Sequence, residues 1–263
     1  MQFLLNTEKS NSKAYYDSDI SIWLSVDPLA DKYPSLSPYA YCANNPVILV
    51  DPDGRYGIPA DKLEEYRRDY PMFMKYLEHN VQNDVINSPN IMAGLLKFSG
   101  GNLTVDKVKF ATEWGFGPNL IIVDNPGFDG DGWMLMGANG YYNYSTNTIQ
   151  ISTRLVNQFE NSASENMQAG LFGIYVTLLH ETVHYGDYLD GLRQTSRDKS
   201  GFGSEPGLFF QWEVFYSRKV KYGNDVYNGA QTQYDHSQID GAHELIKLNV
   251  LEGKSDVIPT LPE

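Results

Sequence analysis

Between residues 59 and 114, polar and apolar residues recur with the periodicity of helices. Charged clusters alternate with apolar residues at spacings of three and four over residues 59–80, and Pro59 stands where a helix can begin. Weaker patterns of the same kind run over residues 83–98 and 105–114. The pattern predicts helices in this part of the chain.

A different pattern follows, with short apolar segments between turn-forming residues. The run LIIV at residues 120–123 predicts a buried strand, and residues 132–153 predict two or three more strands. From residue 165 to about residue 185 the chain is apolar on nearly all sides, as in a helix through a core, and residues 209–221 are again helical. This order of helices, a small set of strands and a central helix predicts an α+β fold.

Residues 1–57 differ from the rest because Pro, Asn, Asp and Gly recur every few residues. Two short apolar pieces, at residues 22–26 and 47–50, predict short strands between turns. The change near residue 57 predicts two domains, a loop-rich segment 1–57 and a globular domain 58–263.

Composition narrows the class of function. Acidic residues outnumber basic ones by 33 to 20, and the net charge of −13 removes any general attraction to nucleic acid or to an anionic membrane. Cys42 is the single cysteine, which excludes an intramolecular disulfide and any site of several cysteines. No apolar run approaches the length of a membrane span, and residues 1–13 lack the basic region of a signal peptide. We expect a soluble protein without nucleic acid partners or membrane insertion, cytoplasmic until other components export it.

The predicted central helix contains an HExxH motif, His180-Glu181-Thr182-Val183-His184. Residues four apart on a helix project from one face, so the two imidazoles can bind one metal ion. Glu181 points beside them, where it can take a proton from a water on the metal, and zinc lowers the pKa of that water to roughly 7. The surroundings are apolar, and buried metal ligands are costly there without a metal. The motif predicts a Zn²⁺ site with Glu181 as general base.

Two ligand patterns compete for the third zinc ligand. In the metzincin pattern it lies ten residues after the first histidine, at Asp190, but Asp187 replaces the turn glycine and no methionine follows Met167. In the gluzincin pattern a glutamate on a later helix completes the site, and Glu213 lies 29 residues beyond the second histidine, among aromatic residues. We predict Glu213 as the ligand, with Glu205 as the next candidate, followed by Asp190 and Asp187.

Other polar residues near the motif are weaker candidates. His236 and His243 follow it, and either can stabilise the oxyanion of a tetrahedral intermediate, although a loop or helix-surface histidine is the simpler interpretation of each. Asp187 and Asp190 are candidates to accept a hydrogen bond from an imidazole N–H of the motif.

The N-terminal segment carries a family resemblance. The strings DPLADKYPSLSPYAY and NNPV…DPDG, within residues 15–55, closely resemble the RHS repeat-associated core segment, which closes the shell of RHS and YD-repeat proteins before a variable C-terminal toxin domain. In that family two aspartates, matching Asp27 and Asp51, release the toxin by self-cleavage. The family's preceding arginine falls on Ile22, and its DPxGL ending reads DPDGR, which argues against self-cleavage here. The resemblance implies that residues 1–57 are an RHS-core remnant without the upstream repeats.

The motif region carries a second resemblance. HETVHYGDYLDG followed by EPG…WE, within residues 175–220, resembles the zincin-like metallopeptidase toxins at the C-termini of polymorphic bacterial toxins. The resemblance implies a zincin-like domain, in which a small mixed or antiparallel sheet packs on helices and its edge strand binds extended peptide. Because such domains occur behind RHS-core junctions, the two resemblances support each other.

These observations together predict a zinc metalloendopeptidase, the C-terminal toxin of an RHS-type polymorphic toxin. It would hold Zn²⁺ through His180, His184 and Glu213, hydrolyse a target protein, leave the cell through a specialised bacterial export system and have a cognate immunity protein. One alternative is an inactive orphan RHS cassette or an adhesion or delivery module, in which the HExxH helix is structural. Another is an aspartyl self-protease built on Asp27 and Asp51.

Overall fold

The computed structural model of the chain describes two short strands at 16–17 and 22–23 and then residues 57–99, 103–127, 138–189, 205–216 and 236–263. The chain divides into two compact units, Met1–Gly54 and Arg55–Glu263.

In the first unit, β1 (Tyr16–Asp17) pairs antiparallel with β2 (Ile22–Trp23). The second of these strands coincides with the start of the strand predicted over residues 22–26. The strand predicted at 47–50 lies outside the described residues, as do Asp27 and Asp51.

Short helices make up the first part of the second unit. They are α1 (Ala60–Asp69), α2 (Pro71–His79), α3 (Val81–Ile86), α4 (Pro89–Phe98) and α5 (Val105–Thr112). Pro71 separates α1 from α2, because proline disfavours helical backbone in the residue before it, and Tyr70 has φ −134° and ψ 57°. Ser88 begins α4 by accepting a hydrogen bond from the N–H of Ile91. The helical patterns at 59–80 and 83–98 therefore each contain two helices.

A three-stranded sheet follows, made of β3 (Asn119–Val123), β4 (Gly140–Asn143) and β5 (Thr148–Ser152). The strand order is β3-β5-β4, with β5 parallel to β3 and antiparallel to β4. In the turn between β4 and β5, Asn147 has φ 49°, a left-handed conformation that asparagine tolerates. The described strands match those predicted at 120–123 and within 132–153, and residues 128–137 lie outside the described part.

The second half of the unit is built on a long buried helix. Its elements are α6 (Thr153–Glu160), α7 (Met167–Leu189), α8 (Pro206–Val214) and α9 (Ile239–Leu251). Helix α7 packs against the other three helices and against β4 and β5, and it is buried on all sides along most of its length. This confirms the predicted central helix.

Two helices are absent from the sequence prediction, and a third begins earlier than predicted. Helix α6 follows β5 without an intervening turn, so no turn signal marks where the strand pattern ends and the helix begins. Its buried residues are Leu155, Val156 and Phe159. The prediction also omits α9. Helix α8 begins at Pro206, three residues before the predicted start, because Glu205 caps it.

Helices and a small mixed sheet occur together in the second unit, which confirms the predicted α+β class. Among the described helices, none combines the length and the hydropathy that a membrane span requires.

Candidate metal centre

His180 and His184 lie one turn apart on α7 and bring their imidazoles together. Their Nε2 atoms are 3.3 Å apart, and their side chains are 16% and 4% exposed. A spacing of four residues on a helix produces this arrangement, because both side chains project from one face. Two nitrogen donors therefore meet at one point at the edge of the core.

Glu205 reaches the same point from the start of α8. Its carboxylate caps the helix, accepting hydrogen bonds from the N–H of Gly207 at 3.2 Å and of Leu208 at 2.6 Å. The Oε1 atom lies 2.6 Å from Nε2 of His184 and 3.4 Å from Nε2 of His180. The backbone of α8 thus holds one carboxylate oxygen against both imidazoles.

These three residues form the metal-ligand group found among the described residues, with their ligand atoms all within 4.8 Å of one another. Two imidazole nitrogens and one carboxylate oxygen make up the donor set of His₂Glu zinc sites. The residues present therefore fit a zinc ion.

The structure does not bring Glu213 into this group. Glu213 lies in the last turn of α8, where its carboxylate is paired with the ammonium group of Lys97 and is 33% exposed. Of the other candidates for the third ligand, Asp190 lies outside the described residues. The geometry favours Glu205, the second candidate of the sequence analysis, over Glu213.

The outer nitrogen of His184 has two polar neighbours. Its Nδ1 lies 3.3 Å from Oη of Tyr144 and 3.7 Å from Oδ2 of Asp187. Asp187 is a predicted partner of an imidazole of the motif. Tyr144, which follows β4, is not among the predicted site residues. The packing of β4 against α7, two elements distant in sequence, brings this tyrosine to His184, so no local signal in the sequence identifies it.

Glu181 is buried beside the two histidines. A Cβ atom added to Gly140 at the start of β4 would lie 2.6 Å from Cγ2 of Thr177 and 2.8 Å from Oε1 of Glu181, so the glycine lets β4 approach α7 closely at this point. Burial raises the pKa of Glu181, while the nearby histidines and a hydrogen bond from the N–H of Tyr142 act in the opposite direction. The result is a carboxyl group with a raised pKa next to the candidate ligands.

The charges of the centre are strongly coupled. Burial lowers the pKa of His184, but its interactions with Asp187 and Glu205 outweigh this effect and raise the pKa to about 10. Burial raises the pKa of Glu205, but His180 and His184 outweigh this effect and hold it well below its usual range. A positive charge is therefore stabilised between these groups, whether a proton or a bound cation carries it.

The two later histidines have their own partners elsewhere. Nδ1 of His236 lies 2.8 Å from Oη of Tyr216, and Nε2 of His243 lies 3.1 Å from Oδ1 of Asn166. Neither belongs to the three-residue group.

The class of the protein is identified by its similarity to a known sequence family. A sequence model of the metallopeptidase toxin 3 family matches residues 66–216, more than half of the 263 residues, and this span includes the HExxH motif and Glu205. No curated protein and no solved structure matches the chain. The class is thus that of metallopeptidases that act as toxins. The chain belongs to the metallopeptidase toxin 3 family, which confirms the toxin-domain part of the prediction and implies a peptidase that uses a metal.

Proposed function

We propose that the protein is a zinc-dependent endopeptidase whose metal ligands are His180, His184 and Glu205. The observation that carries the proposal is the convergence of three ligand atoms of the His₂Glu type. Nitrogen donors favour zinc over magnesium or calcium, which prefer oxygen ligands. Membership in the family supports the peptidase activity.

In this proposal Glu181 is the acid–base catalyst. Zinc, when bound, supplies a Lewis acid that activates water and polarises the scissile carbonyl. Glu181 accepts a proton from the attacking water and then donates it to the nitrogen of the leaving amine. Its burial supports this role, since a raised pKa brings a carboxyl group closer to the pH at which it exchanges protons.

We further propose that the domain is zincin-like and binds its substrate beside β4. Among the described strands, β4 is at one edge of the sheet. It packs against α7, and its residue Tyr142 contacts Glu181 through the backbone. A peptide added to the edge of β4 as an extra strand would therefore lie next to the proposed general base.

The biological setting belongs to the same proposal. The family is one of toxins, which supports a protein substrate in a target cell and delivery by a specialised export system. The sequence of residues 1–57 supports an origin behind an RHS core, and a toxin of this kind needs a cognate immunity protein in the producing cell. Co-purification of the protein with the product of an adjacent gene would test the last point.

The Glu181→Gln variant tests the proposed catalysis. Glutamine keeps the size of the side chain but accepts no proton, so the variant should bind one zinc per chain and lose about 10²- to 10⁴-fold in activity. Growth is measured during expression in cells without an immunity partner, and zinc content is measured in the purified protein.

The His184→Ala variant is the control, because it should lose zinc together with toxicity. Equal toxicity of the wild type and Glu181→Gln would contradict the mechanism. A wild type that purifies and titrates without stoichiometric zinc would favour the alternative, an inactive cassette or delivery module in which the HExxH helix is structural.

A further inference from the structure

The two candidate histidine ligands are held in different ways. Nδ1 of His184 has Tyr144 and Asp187 as polar neighbours. Nδ1 of His180 is buried and has no hydrogen-bond partner among the described residues. Hydrogen bonds at the outer nitrogen usually orient a histidine that binds a metal, so within the described part of the chain packing takes over this role for the His180 ring.

Gly207 supplies that packing from the first turn of α8. A Cβ atom added to Gly207 would lie 2.6 Å from both Cδ2 and Nε2 of the His180 ring and 2.7 Å from its Cε1. The backbone of Gly207 does not have a positive φ, so its conformation alone does not require glycine. The space taken by the ring does require it.

Gly207 also contacts the third candidate ligand. Its N–H donates the 3.2 Å hydrogen bond to Oε1 of Glu205, the oxygen that faces both histidines. One residue without a side chain thus contacts the ring of one ligand and holds the carboxylate of another.

We propose that Gly207 is a positioning residue of the metal centre. Its missing side chain allows α8 to begin against the His180 ring, which brings Glu205 within reach of both histidines. This inference rests on the proposed zinc site.

A methyl group at position 207 has two ways to be accommodated. The His180 ring can turn away, which moves its Nε2, or the start of α8 can retreat, which moves Glu205. Either change separates the three donor atoms. We therefore expect Gly207→Ala to weaken zinc binding by about 10- to 100-fold, as changes beside metal ligands typically do.

The experiment is a titration with Co²⁺ followed by competition with Zn²⁺. The absorption bands of bound Co²⁺ report the coordination geometry, and the competition reports zinc affinity. Gly173→Ala is the matched control, because its Cβ would lie 2.7 Å from the backbone oxygen of His236, a comparable clash on α7 away from the donor atoms. This control should lose stability and keep the zinc affinity and Co²⁺ spectrum of the wild type.

A double-mutant cycle in chelator-treated protein tests the contact without any metal. Gly207→Ala should lower the urea midpoint of the wild type. In the His180→Ala background the clash is gone, so the same substitution should leave the midpoint unchanged or raise it slightly, since alanine favours helix over glycine.

The outcomes separate the two proposals. A wild type that binds no zinc would end the proposed function, whereas the cycle would still report the contact with His180. A Gly207→Ala protein with the zinc affinity and Co²⁺ spectrum of the wild type would overturn the positioning role and leave the zinc site intact. If Gly207→Ala does not fold, recovery of folding in the double variant supports the inference, and failure of the double variant to fold overturns it.

Discussion

The two ends of α8 each carry a glutamate, and only the one at the N-terminal end meets the histidines of α7. Glu205 caps the first turn and faces both imidazoles, whereas Glu213 lies in the last turn beside Lys97. Eight residues at 1.5 Å each separate them by about 12 Å along the helix axis. A single helix in this position therefore presents one of them to the centre.

The difference shows what a helix terminus adds to a candidate ligand. The carboxylate of Glu205 is oriented by two backbone N–H groups and lies at the positive end of the helix, so its position and its charge are both stabilised. A carboxylate on the side of a helix, such as that of Glu213, has no backbone donor at its own helix end. Its partner in the structure is the ammonium group of Lys97, on a side chain that is itself 47% exposed.

The largest expected effect is the loss of zinc in Glu205→Ala. Removing a direct ligand should cost more than the roughly 10- to 100-fold typical of residues that only orient a ligand, and activity should disappear with the metal. Zinc affinity is measured by competition with a chromophoric chelator.

Glu213→Ala provides the control at the other end of the helix and should bind zinc like the wild type. The reverse result, with zinc lost in Glu213→Ala and retained in Glu205→Ala, would restore the ligand assignment made from the sequence and would reverse the comparison of the two ends.

The sequence predicts the parts of this site that depend on local periodicity. The spacing of His180 and His184, the apolar helix around them and the α+β class all follow from patterns within short windows. The third ligand depends on which end of α8 faces α7, and that is decided by packing between elements distant in sequence, including α8 against α4. Periodicity carries no information on such packing.

One local signal for Glu205 was nevertheless present. The order Glu205-Pro206-Gly207 is typical of a helix start, because proline is favoured at the first helical position and a polar residue before it caps the helix. The helical pattern itself predicts a later start, at residue 209, and so does not place Glu205 at the beginning of this helix. Gly207 carried no signal, because its importance comes from a contact with His180 on another helix.

A smaller effect on zinc affinity is expected for each single unit of pH. The pKa of His184 is raised to about 10 from an ordinary value of 6.5, so below pH 10 zinc must displace a proton from this ring. The pKa of Glu205 is lowered, so this carboxylate stays charged and displaces none near neutral pH. Zinc affinity should therefore rise about tenfold per pH unit from pH 6.5 toward pH 10.

These pKa shifts also predict how the stability of the chelator-treated protein changes with pH. The raised pKa of His184 stabilises the fold fully below pH 6.5, and this contribution is lost as the pH rises through about 10. The lowered pKa of Glu205 stabilises the fold above pH 4.5, and this contribution is lost on further acidification. Glu205→Ala should weaken the dependence of stability on pH in the alkaline range, whereas Glu213→Ala should leave this dependence unchanged. A zinc affinity that is constant from pH 6.5 to pH 9 would contradict this coupling.

The smallest expected effect is on stability at the C-terminal end of α8. The side chains of Glu213 and Lys97 are 33% and 47% exposed, and an ion pair so open to solvent contributes about 0.2–1 kcal/mol. Glu213→Ala should lower the free energy of unfolding by this amount at low salt and by less at high salt, where exposed charges are screened. The contact of Lys254 with the backbone oxygen of Glu213 does not need the carboxylate and should persist.

Urea unfolding of Glu213→Ala, Lys97→Ala and the double variant measures the coupling energy of this ion pair. A coupling energy above about 2 kcal/mol, or a release of zinc, would show that this end of the helix also supports the metal centre.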